Sequence, residues 1–247
     1  MSAPSLPPGR LYGVGVGPGD PELMTVKAVR VLGEADVIAH FCKAGRHGNG
    51  NTTIDGLGRP DAVRLALAYP VTTEIPRHDP GYRDAIRDFY EGAAETVADH
   101  LAAGRTVAVV SEGDPLFYGS YMHLHVRLCD RFPTEVIPGV TAFSGAAALA
   151  GVALAQGDDV LVVLPGTLPE DILARRLAES EAAIVMKLGR NLPKVRRALA
   201  KAGLIDRAYY VERATMANGA AMRLCDKPDE TAPYFSLILV PGWETKP

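Results

Sequence analysis

Residues 11–32, LYGVGVGPGDPELMTVKAVRVL, decide how the rest of the chain is read. A short apolar run meets a glycine-rich turn, and a helical pattern follows. Glycines stand at 13, 15, 17 and 19, with Pro18 and Asp20 interleaved. A dinucleotide-binding loop needs glycine at its first, third and sixth positions, with the helix opening behind them so that its amides face a pyrophosphate. Counted from Gly13 the sixth position is Pro18, from Gly15 it is Asp20, and from Gly17 it is Glu22. The acidic side chains also stand where a phosphate would sit, which is electrostatically wrong for a helix N-terminus. The stretch reads either as a tight strand-to-helix turn capped by Asp20 or Thr25, or as a ligand loop of another kind.

A second segment shifts the weight. VVSEGDPLFYGS (109–120) again ends an apolar run in Gly-Asp-Pro and leads into a helix. Ligands bind at the carboxyl ends of parallel strands. Glu112 and Asp114 are poor neighbours for phosphate but suit hydroxyls or a cation. Helix capping by Asp114 is the plain structural alternative.

Outward from these turns, β-branched runs alternate with helical patterns. Strands are expected at 10–16, 35–40, 63–68, 106–111, 134–137, 159–164, 182–187, 207–211 and 234–240. Runs such as TVAVVS, DVLVVL and AAIVMK suit parallel strands covered on both faces. Residues 80–103 carry the stripe Tyr82, Ile86, Phe89, Ala93, Val97, Leu101, opened by Asp79-Pro80 and closed by Gly104. Asn191 to Gly203 repeats the design, with an Asn cap, Pro193, the stripe Leu192, Val195, Leu199, and a final glycine. This is an α/β chain. Nine strands exceed one small sheet, and Pro138-Gly139 breaks the pattern, so two domains are expected, 1–138 and 139–247. The polar segment 42–61 shows no apolar period and reads as a long functional loop.

The 247 residues are 47% hydrophobic and 22% charged, with a net charge of −3. That balance argues against general nucleic-acid binding. No apolar run is long enough for a membrane span or a secretory signal. Cys42, Cys129 and Cys225 form no CxxC pair or disulfide framework, which points to a reducing cytoplasm. His123 and His125 stand two apart and would not share a helix face, so no metal site is expected. A buried structural Cys42 is expected in preference to a reactive one.

The ordered set VGVGPGDPELMTVKA (14–28), SEGDPLFYGS (111–120), EVIPGVTAFSGAAA (135–148), MKLGRN (186–191), VERATM (211–216) and YFSLILV (234–240) resembles the tetrapyrrole (precorrin) methyltransferases over nearly the whole chain. The resemblance implies two α/β domains with mostly parallel sheets and a ligand cleft between them. It implies S-adenosylmethionine as cofactor and a homodimer. Carried over by motif, the cofactor contacts are Pro18, Glu112, Gly113, Asp114, Tyr118, Gly119, Ser120, Thr141, Ala142, Met186, Lys187, Ala214 and Ser236. Within the family, segments such as FCKAGRHGNGNT and DDVLVVLPGTLPED point to members that take precorrin-2.

A substrate with eight carboxylates calls for guanidinium and ammonium groups, because buried unpaired charge is costly. Residues 43–87 supply Lys43, Arg46, Arg59, Arg64, Arg77, Arg83 and Arg87 with His47 and His78. Lys43, Arg46, Arg77 and His78 are the substrate-binding candidates; the rest suit a solvated surface equally. Glu112, Asp114 and His40 are open as proton acceptors, and no catalytic base is assigned. Three other readings stand beside this one: a sister enzyme taking cobalt-precorrin-2 or another substrate, an NAD-dependent oxidoreductase, and a non-catalytic tetrapyrrole carrier.

Overall fold

A computed structural model of the chain describes residues 7–43, 53–70 and 80–242. It divides into two compact units, Met1–Thr141 and Ala142–Pro247, with the division three residues beyond the expected 138.

The first unit is a five-stranded, wholly parallel sheet. Its strands are β1 (Leu11–Gly15), β2 (Val37–Lys43), β3 (Val63–Tyr69), β4 (Val107–Ser111) and β5 (Thr134–Ile137), in the order β3-β2-β4-β1-β5. Both faces are covered, as continuous apolar strands require. On one face, α2 (Pro80–Ala102) and α3 (Tyr121–Leu128) bury Val97, Leu101, Leu124 and Leu128 against Val107, Val109, Val37 and Ala39. On the other, α1 (Val26–Glu34) buries Ala28, Val31 and Leu32 against Val14, Ile38, Ala108 and Val110. The expected stripe of residues 80–103 is the covered face of α2, and Ala94 and Ala98 widen it. Asp79 lies outside the described residues. The polar segment 42–61 is less loop-like than expected: Cys42 and Lys43 belong to β2, and Ile54 is fully buried in the core under α1.

The second unit carries β6 (Leu161–Pro165), β7 (Ala182–Met186), β8 (Tyr209–Glu212), β9 (Ala220–Arg223) and β10 (Ser236–Val240), ordered β6-β7-β10-β8-β9. β6 and β7 run parallel; β10 runs antiparallel to β7 and β8, and β9 antiparallel to β8. Parallel pairings still prevail across the two sheets. Helices α5 (Glu170–Ala178) and α6 (Leu192–Lys201) cover one face through Leu173, Leu177, Val195 and Leu199, and α4 (Ala142–Ala150) covers the other. The expected Asn191 cap is not formed. A short 3-10 turn, Gly189–Asn191, runs straight into α6, so Asn191 already has helical backbone, and its side-chain amide donates to the Lys187 carbonyl at 3.1 Å.

Candidate functional site

The glycines of the opening stretch serve close packing. An added Cβ at Gly13 would lie 2.3 Å from the Tyr121 ring, and one at Gly15 would lie 2.6 Å from the Gly139 amide nitrogen. One at Gly139 would meet the Gly113 carbonyl at 2.1 Å. The ends of β1, β4 and β5 therefore converge to backbone contact, which only glycine allows. Gly17 and Gly19 then turn with positive φ. Asp20 caps a 3-10 turn through the Glu22 amide at 2.9 Å, and Thr25 caps α1 through the Ala28 amide at 3.1 Å. Both capping alternatives are realised, in succession.

The two Gly-Asp-Pro loops meet. Gly17 and Gly113 form an isolated antiparallel bridge, with Gly113 donating to Gly17 at 2.7 Å and Gly17 to Gly113 at 3.4 Å. The chain leaves β1 towards β2 on one side of the sheet and leaves β4 towards β5 on the other. The crevice where strand order reverses is where parallel sheets bind ligands, and here it lies between β1 and β4. Asp114 acts within that crevice as a staple: Oδ1 accepts from the Leu116 amide at 2.9 Å and Oδ2 from the Gly139 amide at 3.1 Å. Glu112 beside it is exposed and Pro18 half-buried. Gly119 packs so closely that a Cβ would lie 2.6 Å from the Pro115 carbonyl.

Ser120, at the start of α3, hydrogen-bonds the Tyr69 hydroxyl, which also lies 3.2 Å from that of Tyr90. Around them stand Phe41, stacked on Tyr69 at 5.7 Å, Phe89 at 4.7 Å from Tyr69, and His123, stacked on Tyr90 at 4.0 Å. Burial, with Arg127 nearby, lowers the His123 pKa and favours the neutral ring. This aromatic wall was missed in the sequence because its members are scattered over β2, β3, α2 and α3. Ser111 was missed as well. It ends β4 opposite Gly15, is 5% exposed, and its hydroxyl has no hydrogen-bond partner among the described residues.

Lys43 and Tyr69 are register partners at the ends of β2 and β3. Lys43 thus stands exposed on the same sheet edge as the two turns. Arg46, Arg77 and His78, with His47, lie outside the described residues. Arg59 belongs to the opposite edge, where it pairs with Asp36 and Asp61, and Arg87 pairs with Asp84 and Asp88. Those two arginines read as surface ion pairs. His40 is buried within β2. Cys42 is buried too, and burial pushes its thiol pKa up, as a structural cysteine requires.

In the second unit, Ala142, Met186 and Ala214 all pack against one small cluster formed by Ala146, Ile184, Val211, Leu237 and Leu239. Ser236 begins β10 opposite Glu212, and its hydroxyl donates to the Pro233 carbonyl at 2.7 Å. Thr141 is half-buried and is the last residue of the first unit.

Backbone strain marks the same segments. Among the described residues, four non-glycine residues adopt left-handed φ: Tyr118 (55°), Lys187 (59°), Arg213 (47°) and Thr215 (63°). Each sits in or beside a motif segment, and Arg213 and Thr215 flank Ala214. Such conformations persist where surrounding structure over-determines them, commonly at ligand sites.

A family model described as Tetrapyrrole (Corrin/Porphyrin) Methylases matches residues 10–224, and the chain belongs to that family. Among its relatives is the precorrin-2 C(20)-methyltransferase of a Sinorhizobium species, 66% identical over 239 residues, which are 97% of this chain and 98% of that protein. The cobalt-precorrin-2 C(20)-methyltransferase of Salmonella typhimurium is 32% identical over 96% of this chain and 98% of its own. A crystal structure of a cobalt precorrin-4 methyltransferase from cobalamin biosynthesis superposes with a TM-score of 0.71 at 25% identity, covering 94% of each chain.

Proposed function

We propose that this chain is an S-adenosylmethionine-dependent methyltransferase that methylates C-20 of precorrin-2 to give precorrin-3A in cobalamin biosynthesis. The observation that carries the reading is the 66% identity, end to end, with a protein bearing that activity. Metal-free precorrin-2 is preferred over its cobalt complex because the relative named for the cobalt form is half as similar.

S-adenosylmethionine supplies an electrophilic methyl group on a sulfonium. The residues present suit it. In the first unit, Pro18, the Glu112-Gly113-Asp114 turn, Tyr118, Gly119 and Ser120 offer closely approachable backbone, hydroxyls and an exposed carboxylate that favours a cation. Thr141, the last residue of the first unit, adds another hydroxyl; in the second, Ala142, Met186 and Ala214 offer an apolar wall fit for adenine, with Lys187 and Ser236 adding polar groups. A pyrrole-fed meso carbon is already nucleophilic, so the protein's task is alignment more than proton abstraction. Holding reacting atoms in line at about 3–3.5 Å supplies roughly 7–11 kcal/mol of a barrier. Lys43, Arg46, Arg77 and His78 are proposed to meet substrate carboxylates.

We place the enzyme in the cytoplasm as a homodimer, a state that the family resemblance implies. The free state of all three cysteines supports the compartment, and among the described residues no helix is long and apolar enough to cross a membrane. The test is incubation of purified protein with methyl-labelled donor and either precorrin-2 or cobalt-precorrin-2. Label at C-20 of the metal-free product is expected. Label at another carbon, or transfer only to the cobalt complex, overturns the assignment; native mass measurement decides the dimer.

A further inference from the structure

Tyr210, Glu212, Arg213 and Lys227 form one connected network in the second unit that the proposed chemistry does not use. Tyr210 is fully buried in β8, and its hydroxyl donates to Glu212 Oε2 at 2.6 Å. The other carboxylate oxygen, Oε1, accepts from Arg213 Nη1 at 2.6 Å. Over the Tyr210 ring lies Lys227 Nζ, 4.5 Å from the centroid and 3.0 Å from Asp229 Oδ1. Arg196 of α6 holds the same segment through the carbonyls of Lys227 and Asp229, both at 3.3 Å. Burial, then the adjacent Glu212 carboxylate, pushes the Tyr210 pKa far up, so its proton stays available to Glu212.

The network ends on the strained turn. Arg213 and Thr215 hold left-handed backbone on either side of Ala214. The Arg213 amide donates to the Phe235 carbonyl at 2.8 Å, immediately before Ser236, and Ser236 faces Glu212 across the ladder. A Cβ on Gly219 would lie 2.6 Å from the Arg213 carbonyl, so the turn is closed from that side too. Left-handed non-glycine residues relax unless they are clamped. The clamp here is a two-oxygen carboxylate, one oxygen fixed by a buried tyrosine and the other fixing the arginine.

We propose that Tyr210 and Glu212 are positioning residues for methyl-donor binding: the Tyr210–Glu212–Arg213 chain fixes the left-handed turn that presents Ala214 and Ser236 to the donor. This rests on the reading of Ala214 and Ser236 as donor residues. A turn ordered in advance binds more tightly than one ordered by the ligand, because the ordering entropy is already met. Both act through the turn they hold, Glu212 on Arg213 and Tyr210 on Glu212 and Ser236.

Tyr210→Phe keeps the ring, its packing and its contact with Lys227, and removes only the hydroxyl. Glu212→Gln keeps an acceptor for Tyr210 but removes the charge facing Arg213. Adenosylhomocysteine affinity by calorimetry, donor KM and kcat, and Tm are the readouts. Tyr210→Phe is expected to weaken adenosylhomocysteine about tenfold, about 1.4 kcal/mol, and to raise donor KM more than it lowers kcat. Glu212→Gln is expected to weaken binding as well, and it carries the test should Tyr210→Phe fail to fold. Ala214→Leu separates the two levels. Unchanged affinity in Ala214→Leu sinks the donor-site reading and this inference with it. Lost affinity there, with parental affinity in Tyr210→Phe and Glu212→Gln, overturns the inference alone. So does a loss of affinity that merely tracks Tm, with KM and kcat falling off together.

Discussion

The Gly139 amide donates to Asp114 Oδ2 at 3.1 Å, and through that bond the turn after β4 is tied to the bend after β5. The Leu116 amide takes the other carboxylate oxygen. Asp114→Ala leaves both amides without that acceptor. The Leu116 amide lies near solvent, so the expected loss is about 1–3 kcal/mol for the pair, or several degrees of Tm at roughly 2–4 °C per kcal/mol. Adenosylhomocysteine affinity is expected to fall with it. Calorimetry on the Ala variant decides: melting and binding like the parent would remove the turn from the site.

The glycines divide by what surrounds them. Gly13→Ala and Gly139→Ala press a methyl into the Tyr121 ring and the Gly113 carbonyl, and each is expected to destabilise by about 1–3 kcal/mol or more. Gly33 and Gly92 lie inside α1 and α2 with nothing within 4 Å of an added Cβ. Alanine there is expected to stabilise by about 0.5–1 kcal/mol through helix propensity. Urea denaturation of the four variants checks the contrast; equal effects across both pairs would refute it.

Ser111 has a buried hydroxyl with no hydrogen-bond partner among the described residues. Removing such a group costs nothing in the folded state and relieves about 1 kcal/mol of desolvation. Ser111→Ala is expected to melt at or above the parent without ligand. With adenosylhomocysteine added, its Tm rise is expected to be smaller than the parent's, because the hydroxyl stands at the crevice between β1 and β4. An undiminished rise would confine Ser111 to the fold.

Acid stability has a defined window. Hydrogen bonds from the Thr231 hydroxyl and amide, then Lys227, hold the Asp229 carboxyl at about 2. Lys27 lowers Glu135, and Lys201 with Arg197 lowers Glu170. Groups with depressed folded pKa values stabilise fully above their unfolded values and lose that contribution as pH falls through the folded ones. Tm is therefore expected to decline from about pH 4.5 downward, with Asp229 contributing the last part, towards pH 2. Asp229→Asn is expected to flatten that last part. A variant whose Tm falls with the parent's between pH 4 and pH 2 would contradict the assignment.

Most of the fold was legible because period and punctuation agree in it. β5 falls on the expected 134–137, and α2 starts at the expected Pro80 and stops before Gly104, which has positive φ. β9 was not legible: Ala220–Arg223 is a short edge strand opening with two alanines, and only its pairing with β8 makes it a strand. The Asn191 cap failed because a 3-10 turn ahead of α6 is invisible to a capping pattern. The site was legible where motifs are contiguous, as in the two Gly-Asp-Pro loops. The Tyr69–Ser120 contact joins residues 51 apart in the chain, and left-handed φ at Lys187 or Thr215 is set by neighbours, so neither leaves a local signature.

The parallel run of the first sheet also governs how the chain is made. β1 leaves the ribosome early, yet its two neighbours begin at Val107 and Thr134. At about 5–20 residues per second, that strand waits roughly 5–20 seconds for its first partner. Until then only α1 can cover β1, on one face, and a chain released before Val107 has no strand to pair it with.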